Sequence, residues 1–274
     1  MCANSRKDEN NIMKIIKKSN CKINLNLKIV GIKDGFHLLE SVFCPISIYD
    51  KMEISLSDKD EVCGMNIPQE SNIIYKTIKK FKEKYNIKEF VRVEIKKEIP
   101  MQAGLGGGSS NAAFTIIAMN ELFKLNLKTQ EMIDFGKKIG SDVPFFIINK
   151  PSFVEGRGEF ITPICEFKKI YGVLVFDDVY MSTKDVFVRY DDLSEDCTKK
   201  FEGEENDLEV AAISLDSEGK IKKCKDLLLE CGCYKVLMSG AGGSVFGLCE
   251  EENLEIIFYK IKERYNKVWM FESV

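Results

Sequence analysis

The chain has 274 residues, 45% hydrophobic and 30% charged, a composition that excludes a disordered or fibrous protein and leaves room for one large domain or two of about 130 residues each. Forty Lys and Arg against forty-three Asp and Glu give a net charge of −3, which removes the electrostatic case for nucleic acid or an anionic membrane as partner and favours a small-molecule substrate. No apolar run approaches the roughly 18 residues of a spanning helix, and the opening MCANSRKDENN carries both charge signs without an apolar signal core, so a cytoplasmic location is expected.

In chain order, residues 1–12 read as a disordered tail, 13–165 as an N-terminal domain and 166–274 as a C-terminal one. Ile23, Leu25, Leu27 and Ile29 alternate with Lys22, Asn24, Asn26 and Lys28, the period of a half-buried strand with Lys22 on its polar face. Further strands are expected at His37 to Tyr49, Met52 to Leu56 and Val91 to Ile99. Between the last two, Ile74, Ile78, Phe81 and Tyr85 line one face of a helix. After Ile99 comes PMQAGLGGGSSNAA, then an apolar helix starting at Ser109 or Ser110, and a second helix from about Thr129 to Gly140. Ser141-Asp142-Val143-Pro144 reads as an extended turn leading into short strands up to about Ile164.

The second half reads as a strand at Tyr171 to Phe176, an acidic, turn-rich stretch from Asp191 to Glu205 and a helix at Ile221 to Glu230. A strand at Lys235 to Met238, the turn SGAGG, a strand at Ser244 to Cys249, a helix at Leu254 to Tyr265 and a final strand complete it. This irregular alternation in two blocks predicts an α+β protein of two domains. The ten cysteines form no C-x-x-C pair and sit in apolar patterns, as at Cys44, Cys63 and Cys249, so they read as buried thiols. With a single histidine, and Cys231-Gly-Cys233 too sparse to hold an ion, no protein metal site is expected.

Chemistry concentrates at Gly104-Leu105-Gly106-Gly107-Gly108-Ser109-Ser110. Glycines lack the Cβ that would keep an anion from the backbone N–H groups, and the following helix adds the positive end of its dipole: a phosphate cradle. No Lys-Ser or Lys-Thr closes this loop, so it is not a P-loop; Ser109 stands where a dinucleotide motif needs its last glycine. Lys22 and Asp142, each taken alone, read as readily as solvated surface charges as functional groups.

Taken together, Cys21-Lys22-Ile23-Asn24-Leu25, Gly35-Phe36-His37-Leu38-Leu39, Pro100 to Ala113 and Gly140-Ser141-Asp142-Val143-Pro144 resemble the GHMP kinase superfamily. Ser182 to Phe187, Asn206-Asp207-Leu208-Glu209 and Met238 to Gly243 agree with it, so the resemblance spans about residues 21 to 250. The G-L-G-G-G-S-S-N-A-A loop is similar to the branch that acts on a cytidine-diphosphate-linked methylerythritol. Sugar, mevalonate and homoserine kinases usually carry a serine-rich loop instead.

The resemblance implies a two-domain fold with the active site in the cleft between domains. It also implies transfer of the ATP γ-phosphoryl to the substrate's 2-hydroxyl, a step of non-mevalonate isoprenoid precursor synthesis, with Mg²⁺ accompanying the nucleotide. Lys22 and Asp142 are then the catalytic pair. Lys97, Pro100, Met101, Gln102, Ala103, Gly104, Leu105, Gly106, Gly107, Gly108, Ser109, Ser110 and Asn111 are expected to bind ATP, with Lys97 near the adenine. Asn24, Phe36, His37, Thr183, Phe187, Gly240 and Gly242 are expected to bind the second substrate, its base between Phe36 and Phe187. Phe36 replaces a more usual tyrosine and Ser141 a common alanine. A kinase for homoserine or mevalonate, or a non-catalytic nucleotide-binding relative, is the competing reading. A monomer or homodimer is expected.

Overall fold

The computed structural model describes residues 14–196 and 205–274; the expected tail 1–12 and part of the acidic stretch lie outside the described residues. Its first sheet is 7-stranded, with the path β4-β5-β3-β6-β7 and with β1 and β2 also pairing with β3. The strands are β1 (Lys14–Asn24), β2 (Lys28–Lys33), β3 (Phe36–Ser57), β4 (Glu61–Cys63), β5 (Phe90–Lys96), β6 (Ser152–Gly156) and β7 (Phe160–Pro163). All pairings are antiparallel except β4 with β5. Four helices pack on it: α1 (Ile73–Tyr85), α2 (Gly107–Leu122), α3 (Thr129–Gly136) and α4 (Val143–Ile148). The second sheet is 4-stranded and antiparallel, in the order β11-β8-β10-β9, built from β8 (Tyr171–Phe176), β9 (Lys235–Met238), β10 (Ser244–Cys249) and β11 (Val268–Glu272). Its helices are α5 (Thr183–Asp196), α6 (Glu209–Leu215), α7 (Lys220–Glu230) and α8 (Leu254–Lys262).

Three apolar cores hold these layers. One lies between the first sheet and α1 to α4, and one between the second sheet and its helices. A third joins the sheets: Cys21, Ile23, Cys44, Ile46 and Leu105 from the first half meet Leu174, Phe176, Phe246 and Phe271 from the second. α1 keeps the expected face, with Ile74, Ile78 and Phe81 fully buried, and its first turn is capped by the Asn72 side chain accepting from the Ile74 N–H at 2.9 Å. Cys44 and Cys249 are buried as expected, and Cys63 is half-buried.

Several expectations need correction. The two strands expected over His37 to Leu56 are one continuous 22-residue β3. The segment after Asp142 is helical: Asp142 has φ −84 and ψ −8 and leads into α4, whose Pro144 sits in the first turn, where a missing N–H costs no hydrogen bond. Asp191 to Asp196 belong to α5 instead of an acidic turn. Lys22 does not open a half-exposed strand. It lies near the end of β1 and is 4% exposed, because the glycine loop and β3 cover the face it was expected to show to solvent.

Candidate active site

A cleft of about 1140 Å³ is walled by both halves of the chain, by the first sheet and the glycine loop on one side and by α5 and Gly240 on the other. Its floor is set by a break in the β1 ladder. Opposite Asn20 stands Tyr49, but opposite Cys21 stands Ile46, so the strand changes register at that step. Irregularities of this kind bend a strand and re-aim its side chains. Past it, Cys21 and Ile23 enter the inter-sheet core while Lys22 and Asn24 line the cleft.

The glycine loop is tied to this strand: the Lys22 N–H donates to the Leu105 carbonyl at 3.0 Å, and the Leu105 side chain is buried in the inter-sheet core. Gly104 has φ +78, and a Cβ there would collide with the Ser239 carbonyl oxygen. Gly106, at φ +66, caps α2 in a left-handed conformation beside the Phe146 ring and the Lys22 stem. No side chain caps α2, and the Ser110 N–H is the first to bond back into the helix, to Gly106 O at 2.9 Å. The N–H groups of Gly107, Gly108 and Ser109 thus crown the positive end of a 16-residue helix at the cleft wall. A Cβ on Gly108 would meet only Ile73, at 3.8 Å. Packing therefore does not require glycine at that position.

Behind the loop, fully buried Asp50 accepts the Glu98 and Ile99 N–H groups at 2.8 and 3.0 Å, the Asn111 amide at 2.8 Å and the Lys97 ammonium. Lys97 also donates to Asn111 Oδ1 at 3.2 Å, so its charge is engaged at the base of α2. Asn111 is 1% exposed and fixed by these contacts and by Ser19. Ser110 is a correction: its hydroxyl donates to Asn20 O at 2.5 Å inside the protein and it does not line the cleft. Pro100, Met101, Gln102 and Ala103 do line it, with Ala103 nearly buried.

The Lys22 ammonium donates to Asn24 Oδ1 at 2.5 Å and Gly104 O at 2.8 Å and sits 4.9 Å from the centre of the Phe43 ring. Burial pushes its pKa below the ordinary 10.5, and the nearby Asp142 carboxylate opposes that shift. Among the described residues the two form no direct ion pair, and no side chain or backbone N–H donates to the Asp142 carboxylate, which lines the cleft.

The expected second-substrate residues divide. Thr183 on α5 and Gly240 line the cleft, whereas Gly242 does not: it is packed backbone to backbone against Ala103 and Gly104, which is what lets the two glycine turns touch. Asn24 is 1% exposed, its carbonyl taken by Lys22 and its amide by Ser41 at 2.9 Å, so in this arrangement it holds Lys22 instead of reaching for a base. His37 Nε2 bonds Asp191 Oδ1 at 2.7 Å, and its ring stacks on Phe187 with centroids 4.8 Å apart. Phe36 is covered on one side by the Arg157 guanidinium, 4.1 Å from its ring centre. The two rings expected to clasp a base therefore each carry another partner.

Asp50, Ser41, Arg157 and Asp191 escaped the sequence reading because each acts through a partner far away in the chain. Only Asp50, an acid inside a long apolar strand, carried a local signal. The apolar wall Met65, Ile67 and Ile73, close to Lys97, was also missed. Asn206-Asp207-Leu208-Glu209 is structural: Asn206 holds Met238 O and Gly240 O at 2.9 Å each, Asp207 accepts the Ile29 N–H at 2.8 Å, and buried Glu209 accepts the Met238 N–H at 3.0 Å.

The model of the GHMP kinases N terminal domain matches residues 72–150 and that of the GHMP kinases C terminal domain residues 204–267. The chain is 38% identical to the 4-diphosphocytidyl-2-C-methyl-D-erythritol kinase of Clostridium tetani, over 94% of this chain and 99% of that protein. It is 34% identical to the enzyme of the same name from Clostridium botulinum, over 95% and 100%. A crystal structure of 4-(cytidine 5'-diphospho)-2C-methyl-D-erythritol kinase superposes with a TM-score of 0.81 at 25% identity, covering 94% of this chain and 99% of that one. A homoserine kinase from Cytophaga hutchinsonii shares the fold, with a TM-score of 0.66 at 17% identity over 100% and 97% of the two chains. This chain belongs to the GHMP kinase family, on the branch of the 4-diphosphocytidyl-2-C-methyl-D-erythritol kinases.

Proposed function

We infer that this protein transfers the γ-phosphoryl group of ATP to the 2-hydroxyl of 4-diphosphocytidyl-2-C-methyl-D-erythritol, in the non-mevalonate route to isoprenoid precursors. What carries the reading is one arrangement: a buried ammonium and a carboxylate that no donor reaches among the described residues share a cleft with the N-terminus of α2, which no side chain caps. Homoserine and mevalonate kinases share only the fold at 17% and 15% identity, so the choice of alcohol rests on the curated relatives and on the Phe36, His37 and Phe187 side of the cleft.

The N–H groups of Gly107, Gly108 and Ser109 suit the nucleotide phosphates, and the open space above Gly108 fits that use. The apolar wall of Met65, Ile67 and Ile73 suits the adenine. ATP would supply the transferable group, with the N–H groups of Gly107, Gly108 and Ser109 holding its phosphates and accompanying Mg²⁺ offsetting their charge.

The chain's own residues do the rest by positioning and charge. Asp142 orients the acceptor hydroxyl and takes its proton as the new P–O bond forms and the bond to the β–γ bridging oxygen breaks. A carboxylate is a far weaker base than an alkoxide, so it can do this only late, as the hydroxyl becomes acidic. Lys22 offsets the charge gathering on the attacking oxygen. Its two fixed acceptors leave one N–H for the cleft. We further propose that the domains divide near residue 165, between the end of β7 at Pro163 and the start of β8 at Tyr171. A monomer or homodimer in the cytoplasm fits this role.

The test is ADP release with Mg-ATP and, in turn, 4-diphosphocytidyl-2-C-methyl-D-erythritol, homoserine, mevalonate and galactose. Turnover of the first alone is expected; equal turnover of mevalonate would overturn the substrate assignment.

A further inference from the structure

Ser41 lies on β3, is 0% exposed, and lies outside the lining of the cleft. Its hydroxyl is 2.5 Å from Asn26 O and 2.9 Å from the Asn24 amide nitrogen. A backbone carbonyl can only accept, so the Ser41 proton belongs to Asn26, and the Ser41 oxygen must then accept from whatever faces it. That fixes the amide of Asn24: its NH₂ faces Ser41 and its carbonyl oxygen faces Lys22, 2.5 Å from the ammonium. Asn26 is itself held, its side-chain oxygen accepting the Val42 N–H at 2.6 Å while Val42 O accepts the Leu25 N–H at 2.9 Å. Donation therefore runs one way, from the Lys22 ammonium through the Asn24 amide and the Ser41 hydroxyl to the pinned Asn26 carbonyl.

We propose that Ser41 is a positioning residue for phosphoryl transfer, fixing the orientation of Asn24 so that Lys22 keeps two acceptors and presents its remaining N–H to the substrate hydroxyl. The inference rests on the reading of Lys22 as the group that acts on that hydroxyl. Without the Ser41 oxygen the Asn24 NH₂ loses its one acceptor among the described residues and only the Lys22 ammonium still orients the amide, so the carbonyl oxygen is held less firmly against Lys22. Lys22 then loses both its alignment and part of what keeps it charged. Among the described residues, the charged or titratable groups that act on Lys22 are Asp142, at the start of α4, and the Cys21 thiol, on the opposite face of its own strand; the Asn24 and Gly104 oxygens are neutral acceptors.

The experiment compares Ser41→Ala, Ser41→Thr and Lys22→Met with the full-length wild-type enzyme, measuring kcat and both KM values against pH, with thermal melts alongside. Ser41→Ala is expected to lower kcat about 10-fold with little change in the KM for ATP, and to move the alkaline limb of kcat down by about one pH unit, the scale of one charge-assisted hydrogen bond. Ser41→Thr, which keeps the hydroxyl, restores both. A merely structural serine would lower the melting temperature without moving the alkaline limb, and that result would overturn the proposal. So would a Ser41→Ala enzyme with wild-type kcat and limb. If Ser41→Ala does not fold, Ser41→Cys, similar in volume and a poor acceptor, carries the same comparison with the same two outcomes. Wild-type-like kcat in Lys22→Met would instead refute the role of Lys22 itself. An inactive Lys22→Met beside an unaffected Ser41→Ala would refute only the role of Ser41.

Discussion

Gly108→Ala separates the two reasons a glycine can stand in a loop. The new methyl would touch only Ile73, at 3.8 Å, an ordinary van der Waals contact, and φ is not in the left-handed region there. The position lies in the first turn of α2, where alanine is at least as good a helix former, by up to about 1 kcal/mol in a helix interior. Folding should be unharmed, with a melting temperature equal to wild type or up to roughly 4 °C higher for a chain of this length. Nucleotide binding should suffer, because the methyl stands where a phosphate oxygen must approach the N–H groups of Gly107, Gly108 and Ser109. Losing one hydrogen bond to a charged group costs about 1.5–3 kcal/mol, or roughly 10- to 150-fold in Kd. Titration calorimetry with ATP gives the first number and differential scanning calorimetry the second. ATP affinity equal to wild type in a folded Gly108→Ala protein would refute the phosphate cradle. Gly104→Ala is the contrast: its methyl meets the Ser239 backbone at φ +78, so it should lower the melting temperature before any ligand is added. Gly107 is a poorer probe, because its Cβ would run into Ile99, at 2.9 Å, and not into the open cleft.

Asp50→Ala should leave the Lys97 ammonium without its buried counter-charge and strip the Glu98, Ile99 and Asn111 donors, costing about 3–5 kcal/mol and lowering the melting temperature by roughly 10 °C in calorimetry. His37→Ala removes the bond to Asp191 and the stack on Phe187, which hold the β2–β3 hairpin to α5. The KM for the alcohol should rise about tenfold or more while that for ATP stays put in steady-state kinetics. The pH dependence of Lys22 has two opposite signs. Its folded pKa lies below the unfolded 10.5, so between those values the unfolded chain binds more protons and the Lys22 contribution to stability rises with pH. Activity, which needs the ammonium, falls over the same window, and pH-dependent kcat set beside pH-dependent denaturation would display the divergence.

Much of the second half was legible from local pattern. Tyr171–Phe176, Lys235–Met238 and Ser244–Cys249 are short apolar runs between turn residues, and they form strands over those same residues. Phe145, Phe146 and Ile147 are just as apolar yet helical, since a run buried on all sides has no period to distinguish helix from strand. The gap expected between Tyr49 and Met52 falls at Asp50 and Lys51, and β3 runs through both. Pro45 is tolerated within a ladder that changes register nearby, and Asp50 is tolerated because four donors converge on it. At the site, the loop, Lys22 and Asp142 were readable as residue types in a fixed order. What those residues hold was not: the Ser41 relay to Lys22, the Asp191 partner of His37 and the Arg157 cover on Phe36 are contacts between segments 17 to 154 residues apart, which no local pattern encodes.

The most direct test of the central claim is single-turnover phosphoryl transfer by Asp142→Asn, with the binding of ATP and of the cytidine-linked alcohol measured separately. Asparagine keeps the shape and can still hydrogen-bond the hydroxyl, but it cannot take up its proton. The rate should therefore fall by about 10²-fold or more, with both dissociation constants close to wild type. A wild-type rate in that variant would contradict the account and remove Asp142 from the reaction.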